Sequence, residues 1–479
     1  MTKQFGRKRR AHFFPSVLLG TIVLFLSGCM LVGPDYQPVE PVAPDAWNTD
    51  LQGGLTAGKL DASTLAHWWN VLNDPTLSSL EERAVQGNLG LKDAEARVRE
   101  ARAMRGISRA GLFPTIDAKA AASKVQSSEN SGTGQQRELY VAGFDAGWEL
   151  DVFGGVRRSI ETAQANLEAT QENLHDVLVS LMAEVALNYI ELRTYQTRMS
   201  TTESNIKALQ ESYDINLSRQ RAGLISELSV QESLRILESA RAVIPTLEAG
   251  LEAAKNRLAI LLGESPGSLH QELAKRVQIP ELPETVVVGI PAETLRHRPD
   301  IRSAERNLAA QTARIGVATA DLYPKFHLIG TLGLESISAG DLFQSASKAW
   351  SISPYASWNI FSAGAVRQNI EVQNARQEQA LIFYEATVLR AQEDVENALV
   401  AYAKEQLRLE AISRASQAAE RAELLARDQY QAGLVGFNNV LDAQRSLLLL
   451  QDELAQSNGT VTANLVRLYK ALGGGWQTP

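Results

Sequence analysis

The chain has 479 residues, of which 44% are hydrophobic and 21% charged, and its formal net charge is −8. Residues 1–28 contain five basic side chains and no acidic one, so the rest of the chain carries −8 − 5 = −13. This acidic balance disfavours nucleic acid as a partner, and the single cysteine excludes an intramolecular disulfide.

The first 28 residues have the pattern of a secretory signal. A cationic start is followed by an apolar run from Phe13 to Leu26 and then by small residues. A transmembrane helix is the alternative, but the run is shorter than the roughly 20 apolar residues that such a helix needs. Pro15 and Gly20 also interrupt it. We therefore predict a signal peptide at 1–28.

Cys29 follows this segment directly. A lone cysteine is usually a small buried apolar residue, but Leu26-Ser27-Gly28-Cys29 resembles the lipobox of bacterial lipoproteins. The resemblance implies cleavage before Cys29 and acylation of its thiol and its new amino group. Met30 at the next position implies sorting to the outer membrane. Two or more acyl chains hold a protein in a membrane more firmly than one does.

The rest of the chain contains an internal repeat. Residues 91–263 and 301–473 are predicted to be two copies of one unit, offset by 210 positions. Residues 29–90 hold the lipid anchor and a proline-rich extended strap, 264–300 form a proline-rich linker, and 474–479 form the chain end. The landmarks that coincide include Ala94-Glu95 with Ala304-Glu305, Phe113-Pro114 with Tyr323-Pro324, Trp148 with Trp358, and Leu262-Gly263 with Leu472-Gly473.

Each copy is predicted to contain a helix, two strands and a pair of long helices. Apolar residues recur every seven positions in the long helices, which indicates coiled-coil packing, and the seam shifts sideways, which suggests more than one neighbour. One helix from Val156 to Gln220 would span roughly 100 Å at about 1.5 Å per residue. Pro245 is expected to kink or interrupt the helix that follows.

The predicted strands alternate between apolar and polar residues. The clearest begin near Phe144, Phe326 and Trp350, and a weaker one begins near Ile116. Alternation over about ten residues fits a strand with one face to lipid, although a half-buried soluble sheet is the alternative. The smallest membrane barrels have eight strands, so if these four strands span a bilayer, several chains must share one barrel. The polar stretches Ser123–Arg137 and Ser336–Ser347 are predicted to be external loops, and Pro354 counts against a regular ladder in the fourth strand.

Several motifs resemble the outer-membrane efflux proteins of the TolC-like family, and specifically the lipoprotein channels of resistance-nodulation-division pumps. Their order and spacing cover essentially the whole mature chain. The motifs are Gly33-Pro34-Asp35-Tyr36 after Cys29, Trp68-Trp69 with Asp74-Pro75, Trp148-Glu149-Leu150-Asp151-Val152-Phe153-Gly154, Arg298-Pro299-Asp300-Ile301-Arg302, Gln431-Ala432-Gly433-Leu434 and Leu441-Asp442-Ala443-Gln444-Arg445-Ser446-Leu447.

The resemblance implies an α+β membrane protein that is a lipid-anchored homotrimer. Four β-strands from each chain make a twelve-stranded outer-membrane barrel, and long coiled-coil α-helices form a tunnel through the periplasm. The strap, the linker and the chain end form an equatorial region around it. The partners implied are a periplasmic adaptor protein, a proton-driven inner-membrane transporter and outer-membrane lipid, with no cofactor besides the lipid at Cys29. The channel would export small molecules passively.

Two functional places are implied by the same resemblance. The turns Ala222-Gly223-Leu224 and Ala432-Gly433-Leu434 would be periplasmic tips that meet the adaptor, while their glycines could equally serve only to end helices. Asp442 matches an aspartate at the closed tunnel mouth, where three carboxylates would favour cations and repel one another. A solvated helix charge is the alternative. One branch of the family has a second aspartate three residues before the position of Asp442. In this chain Asn439 stands there, preceded by Asn438. The same branch has an arginine at the position of Val435.

No sequence motif of an enzyme was found. The chain lacks GxGxxG, GxxxxGK[ST], GxSxG and HExxH, and its six histidines have no ligand-like spacing. Two other functions stay open beside the efflux duct: the exit channel of a type I protein secretion system, and a periplasmic coiled-coil lipoprotein scaffold. The scaffold would leave the alternating strands without a purpose.

Overall fold

The computed structural model describes residues 31–58 and 61–476. The predicted signal peptide and Cys29 lie outside the described residues. The chain forms two compact units. We call them the sheet unit (described residues within 1–39, 99–169 and 305–383) and the core unit (described residues within 40–98, 170–304 and 384–479).

Helices dominate the secondary structure, and a smaller part is sheet, so the predicted α+β class is confirmed. The helices are α1 (Ala62–Ala66), α2 (Pro75–Gly87), α3 (Leu89–Ala110), α4 (Gly155–Arg221), α5 (Glu227–Leu261), α6 (Pro291–His297), α7 (Pro299–Ala320), α8 (Ala365–Gln431) and α9 (Phe437–Ala471). The strands are β1 (Leu55–Ala57), β2 (Thr115–Gln126), β3 (Gln136–Leu150), β4 (Val286–Val288), β5 (Lys325–Ser336) and β6 (Lys348–Ser357).

The element bounds recur with the offset of the sequence landmarks. Both α4 and α8 have 67 residues and begin 210 positions apart, at Gly155 and Ala365. The same shift carries β2 onto β5 and α5 onto α9. The order of helix, two strands, long helix and second long helix is therefore the same in both halves.

The sheet unit is built around one antiparallel sheet with the order β2-β3-β5-β6. Ile116 pairs with Ala146, Phe144 with Leu332, and Gly330 with Ile352. All four predicted strands are present. The predicted loop at 123–137 is too long, because β2 continues to Gln126 and β3 begins at Gln136, so only 127–135 connect them.

Pro354 lies in β6, at the edge of this sheet. Proline is tolerated in edge strands because its missing N–H need not leave a ladder bond unmade. Pro245 does not interrupt α5, which runs continuously from Glu227 to Leu261. Within the described residues, no helix combines the length and the hydropathy needed to cross a membrane.

The core unit contains the largest hydrophobic cluster of the described residues. It joins α2, α4, α5, α8 and α9 with the short parallel pair β1 and β4. That pair, between the strap and the linker, was not predicted from the sequence. The fully buried members of the hydrophobic cluster include Leu77, Leu80, Tyr189, Leu258, Leu399, Tyr402, Val461 and Leu468.

Candidate functional site

The turn between α4 and α5 contains the first predicted tip. Gly223 has φ +74°, a left-handed conformation that glycine adopts at low cost. Its N–H donates to the Gln220 carbonyl at 2.9 Å, and the N–H of Leu224 donates to the Arg219 carbonyl at 2.9 Å. This pair of bonds is the Schellman arrangement that ends a helix. The local geometry therefore shows that Gly223 ends α4.

The turn between α8 and α9 repeats this geometry. Gly433 has φ +73°, its N–H donates to the Tyr430 carbonyl at 3.0 Å, and the N–H of Leu434 donates to the Gln429 carbonyl at 2.9 Å. Leu224 is 72% exposed and Leu434 is 75% exposed. Both turns thus present one leucine to the outside, which ending a helix does not require.

Each turn connects the two helices of a hairpin, and side chains close to the turns link one hairpin to the other. The Arg219 guanidinium lies 4.8 Å from the centre of the Tyr430 ring, and the Tyr430 hydroxyl lies 3.3 Å from Asn216 Oδ1. A small cluster of buried residues packs behind these contacts. It consists of Leu209, Ile236, Leu237, Ala240, Phe437, Val440 and Leu441.

The predicted gate residues lie in the first two turns of α9. Asn438, Asn439 and Asp442 are exposed, whereas Val440 and Leu441 between them are buried in that cluster. The helical period therefore places the two amides and the carboxylate away from the chain's own core. A single chain brings together these three polar groups and leaves them facing outward.

Sequence reasoning assigned no role to Arg298, although it quoted the motif around it. The Arg298 side chain is 10% exposed and joins three segments of the core unit. Its Nη1 donates to the Ala471 carbonyl at 2.8 Å, and its Nη2 donates to Asp300 at 2.7 Å and to Asp394 at 3.0 Å. It borders a cavity of about 490 Å³ where burial, followed by the charge of Asp300, raises the pKa of Asp176. Only the long-range contacts reveal this cluster.

Sequence reasoning also missed a buried acidic residue, Glu81 in α2. Its side chain is 0% exposed, and neither carboxylate oxygen has a hydrogen-bond partner among the described residues. Burial raises the pKa of Glu81 well above its usual value. In the part of the chain that the structure describes, no three His, Cys, Asp or Glu side chains are placed to hold a metal ion.

Comparison with known proteins places this architecture. Nodulation protein T of Rhizobium leguminosarum bv. trifolii is 32% identical over 463 residues, which cover 95% of this chain and 96% of that protein. The solvent efflux pump outer membrane protein SrpC of Pseudomonas putida is 33% identical over 466 residues, covering 95% and 97%. The solved structure of the outer-membrane channel OprN has a TM-score of 0.88 and 37% identity, covering 94% of this chain and 100% of that one.

A sequence model of the family described as outer membrane efflux protein matches residues 80–264 and 290–474. These two ranges follow the two halves of the chain, and together with the relatives they confirm the family resemblance of the motifs. The chain belongs to the outer membrane efflux protein family, the TolC-like channels.

Proposed function

We propose that this protein is the outer-membrane channel of a tripartite efflux pump, a passive exit duct for small molecules across the periplasm and the outer membrane. The observation that carries the proposal is a four-stranded sheet with open edges and exposed apolar side chains, joined to two helices of 67 residues each. Family membership and the efflux role that SrpC has by name support it.

The sheet supports a barrel shared between copies. Trp350 is 72% exposed, and Phe144, Leu332 and Ile352 are also exposed. An apolar sheet in lipid needs a partner for every backbone N–H and C=O, and β2 and β6 leave one row of these groups unpaired. Pairing β6 of one copy with β2 of the next satisfies both edges. Three copies then give the twelve strands that the family resemblance implies.

The helices of the sheet unit support the same assembly. The start of α4 packs against α7, where Ala165, Ala309 and Ala310 are buried together. Arg306 and Glu168 form an ion pair across this junction at 3.4 Å. The junction joins the first half of the repeat to the second within one chain.

The equivalent junction, 210 positions away, would join α8 to α3. In the single chain, the residues of this second junction are exposed. They include Ala375, the counterpart of Ala165, and Arg99, the counterpart of Ala309. Large apolar side chains beside them, Met104 and Ile107 on α3 and Ile382 on α8, are exposed as well. A neighbouring copy that supplies the missing half covers these side chains, and a ring of copies closes the set.

The mass of the detergent-extracted protein, corrected for bound detergent, tests this assembly. We expect three chains, because a single chain leaves both sheet edges and the second helix junction unmade. Circular dichroism on the same sample controls for folding. A folded single chain would overturn the channel and leave the lipoprotein scaffold.

The tips and the gate are part of the proposal. Exposed Leu224 and Leu434 form the surface for a periplasmic adaptor, which in turn joins a proton-driven inner-membrane transporter. Asp442, with Asn438 and Asn439, faces the tunnel mouth, where three copies bring three carboxylates together. The negative charge of these carboxylates favours cations, and their mutual repulsion opposes closure of the mouth.

One set of variants tests both places. Leu224→Asp with Leu434→Asp should raise drug susceptibility to that of cells without the protein, because two charges replace the apolar contact, while the trimer mass stays unchanged. Leu224→Met with Leu434→Met is the matched control and should retain export. Full export by the aspartate pair would exclude the tips as the docking surface.

Asp442→Asn should lower the cation preference of trimers in planar bilayers. An unchanged preference in Asp442→Asn would exclude the gate.

A further inference from the structure

A buried arginine in the sheet unit holds the segment that follows Cys29. The Arg158 side chain is 1% exposed. Its Nε donates to the Val32 carbonyl at 3.0 Å, and its Nη2 donates to the Gly33 carbonyl at 3.2 Å and to Asp35 at 2.8 Å. Its Nη1 donates to Glu161 at 2.7 Å. Burying a guanidinium is costly unless its donors are paired, so this site is built for one particular main-chain segment.

Two glycines let the segment approach the helices. Gly33 has φ +85°, and a Cβ there would collide with the Gly316 Cα. A Cβ at Gly316 would lie 2.7 Å from the Arg158 Cγ. The groove between α4 and α7 therefore admits the backbone of residue 33 only because both positions lack a side chain.

Contacts on either side fix the segment further. The Tyr36 hydroxyl donates to Glu305 at 3.0 Å, and the Arg306 guanidinium lies 5.4 Å from the centre of the Tyr36 ring. The Val32 N–H donates to the Phe153 carbonyl at 3.3 Å. The segment 31–36 is thus attached where the chain leaves β3, whose last residue is Leu150.

The second half of the repeat lacks this site. Gln368 stands at the position equivalent to Arg158 and is exposed. Gly106 stands at the position equivalent to Gly316, and a Cβ there would meet no described atom of its own chain within 4 Å. Ala96 replaces Arg306. The groove is therefore not a by-product of the duplication, because only one of the two equivalent positions has the residues that bind a strap.

We propose that residues 31–36 are a docking clip that fixes the acyl chains of Cys29 at the membrane beside the end of β3. Only Met30 separates Cys29 from Leu31, so at most about 7 Å of extended chain lies between their Cα atoms. Leu31 itself contacts Gly154, four residues after the end of β3. The proposal rests on the proposed channel and includes the lipid anchor at Cys29 that the lipobox resemblance implies. It adds that the anchor is not a loose tether but enters the membrane at one place on the protein.

Amide hydrogen exchange on the full-length protein, extracted from the outer membrane, tests the clip. Gly316→Ala and Arg158→Gln should make residues 31–36 exchange about tenfold faster or more, since a lost charge-assisted hydrogen bond corresponds to at least such a factor. Gly340→Ala is the control, because a Cβ there would meet only the Ser338 Oγ, at 4.0 Å, and it should exchange like the wild type. Equal protection in all four proteins, or no protection in the wild type, would overturn the clip.

A second measurement locates the acyl chains. Cells fed a fatty acid that carries a photoactivatable diazirine should give cross-links to residues near 150–156 in the wild type and in Gly340→Ala. Gly316→Ala should lose most of them. Cross-links that are unchanged in Gly316→Ala would contradict the placement. An N-terminal peptide without an acyl mass would refute the lipid anchor alone, because exchange protection of 31–36 would still report a docked segment.

Discussion

Replacing Arg298 by alanine should destabilise the core unit by roughly 3 kcal/mol, since removing one partner of a buried, hydrogen-bonded charge cluster has costs of this order. Arg298 is the common partner of the α9 end at Ala471, of Asp300 and of Asp394. Asp394 is more than half exposed, so most of the loss comes from the carbonyl and from Asp300. Urea unfolding in detergent measures the change.

Arg296 provides the control for this substitution. It forms an ion pair with Glu40 at 3.2 Å, and both side chains are largely exposed. Exposed pairs contribute about 0–1 kcal/mol, so Arg296→Ala should leave the unfolding midpoint nearly unchanged. Arg298→Lys keeps the charge but not the planar fork that reaches three acceptors, and we expect a loss between the two. Equal midpoints for Arg298→Ala and Arg296→Ala would show that the cluster does not hold the segments together.

The second large effect concerns the pH dependence at Glu81. Burial without partners raises the pKa of Glu81 in the folded chain, so the folded state binds this proton more tightly than the unfolded state. Its contribution to stability is fully present below the ordinary Glu pKa of 4.5 and is lost as the pH rises toward the folded pKa. Within that window, stability should fall by about 1.4 kcal/mol per pH unit relative to Glu81→Gln, which cannot ionise.

Glu82, its exposed neighbour in α2, provides the matched control. Glu82→Gln should keep the pH slope of the wild type, while Glu81→Gln flattens it. Glu81→Met also removes the unpaired polar atoms, so it should unfold at a higher temperature than the wild type at pH 7.5. Thermal unfolding in detergent across pH 4–8 distinguishes the variants. A slope in Glu81→Gln equal to that of the wild type would contradict a buried neutral carboxyl.

Local sequence patterns predicted most of the secondary structure and the internal repeat. The alternation around Phe144 and Phe326 predicted strands that the structure contains, and the landmarks 210 positions apart predicted elements whose bounds recur with that shift. The turn at Gly223 followed from glycine's conformational freedom alone. Such features depend on residues within a few positions of one another, so a sequence displays them directly. Strand ends were less accurate, because β2 and β3 gain residues by pairing with each other.

The candidate site divides in the same way. The exposure of Asp442 and Leu434 follows from helical period and turn position, which are local. The burial of Glu81 does not, because an acidic residue in a helix is ordinarily exposed and only the packing of distant segments covers it.

The sequence by itself determined the repeat, the helices, the strands, the two helix-ending turns and the family, since each depends on local periodicity or on ordered motifs. Only the tertiary structure decided which charged residues are buried and what they hold. Arg158 binds a segment 126 positions earlier, and Arg298 binds a carbonyl 173 positions later. Nothing in the residues beside either arginine distinguishes it from an exposed one. The physical reason is that desolvation and hydrogen-bond pairing are set by whatever packs around a charge, and those neighbours come from remote parts of the chain.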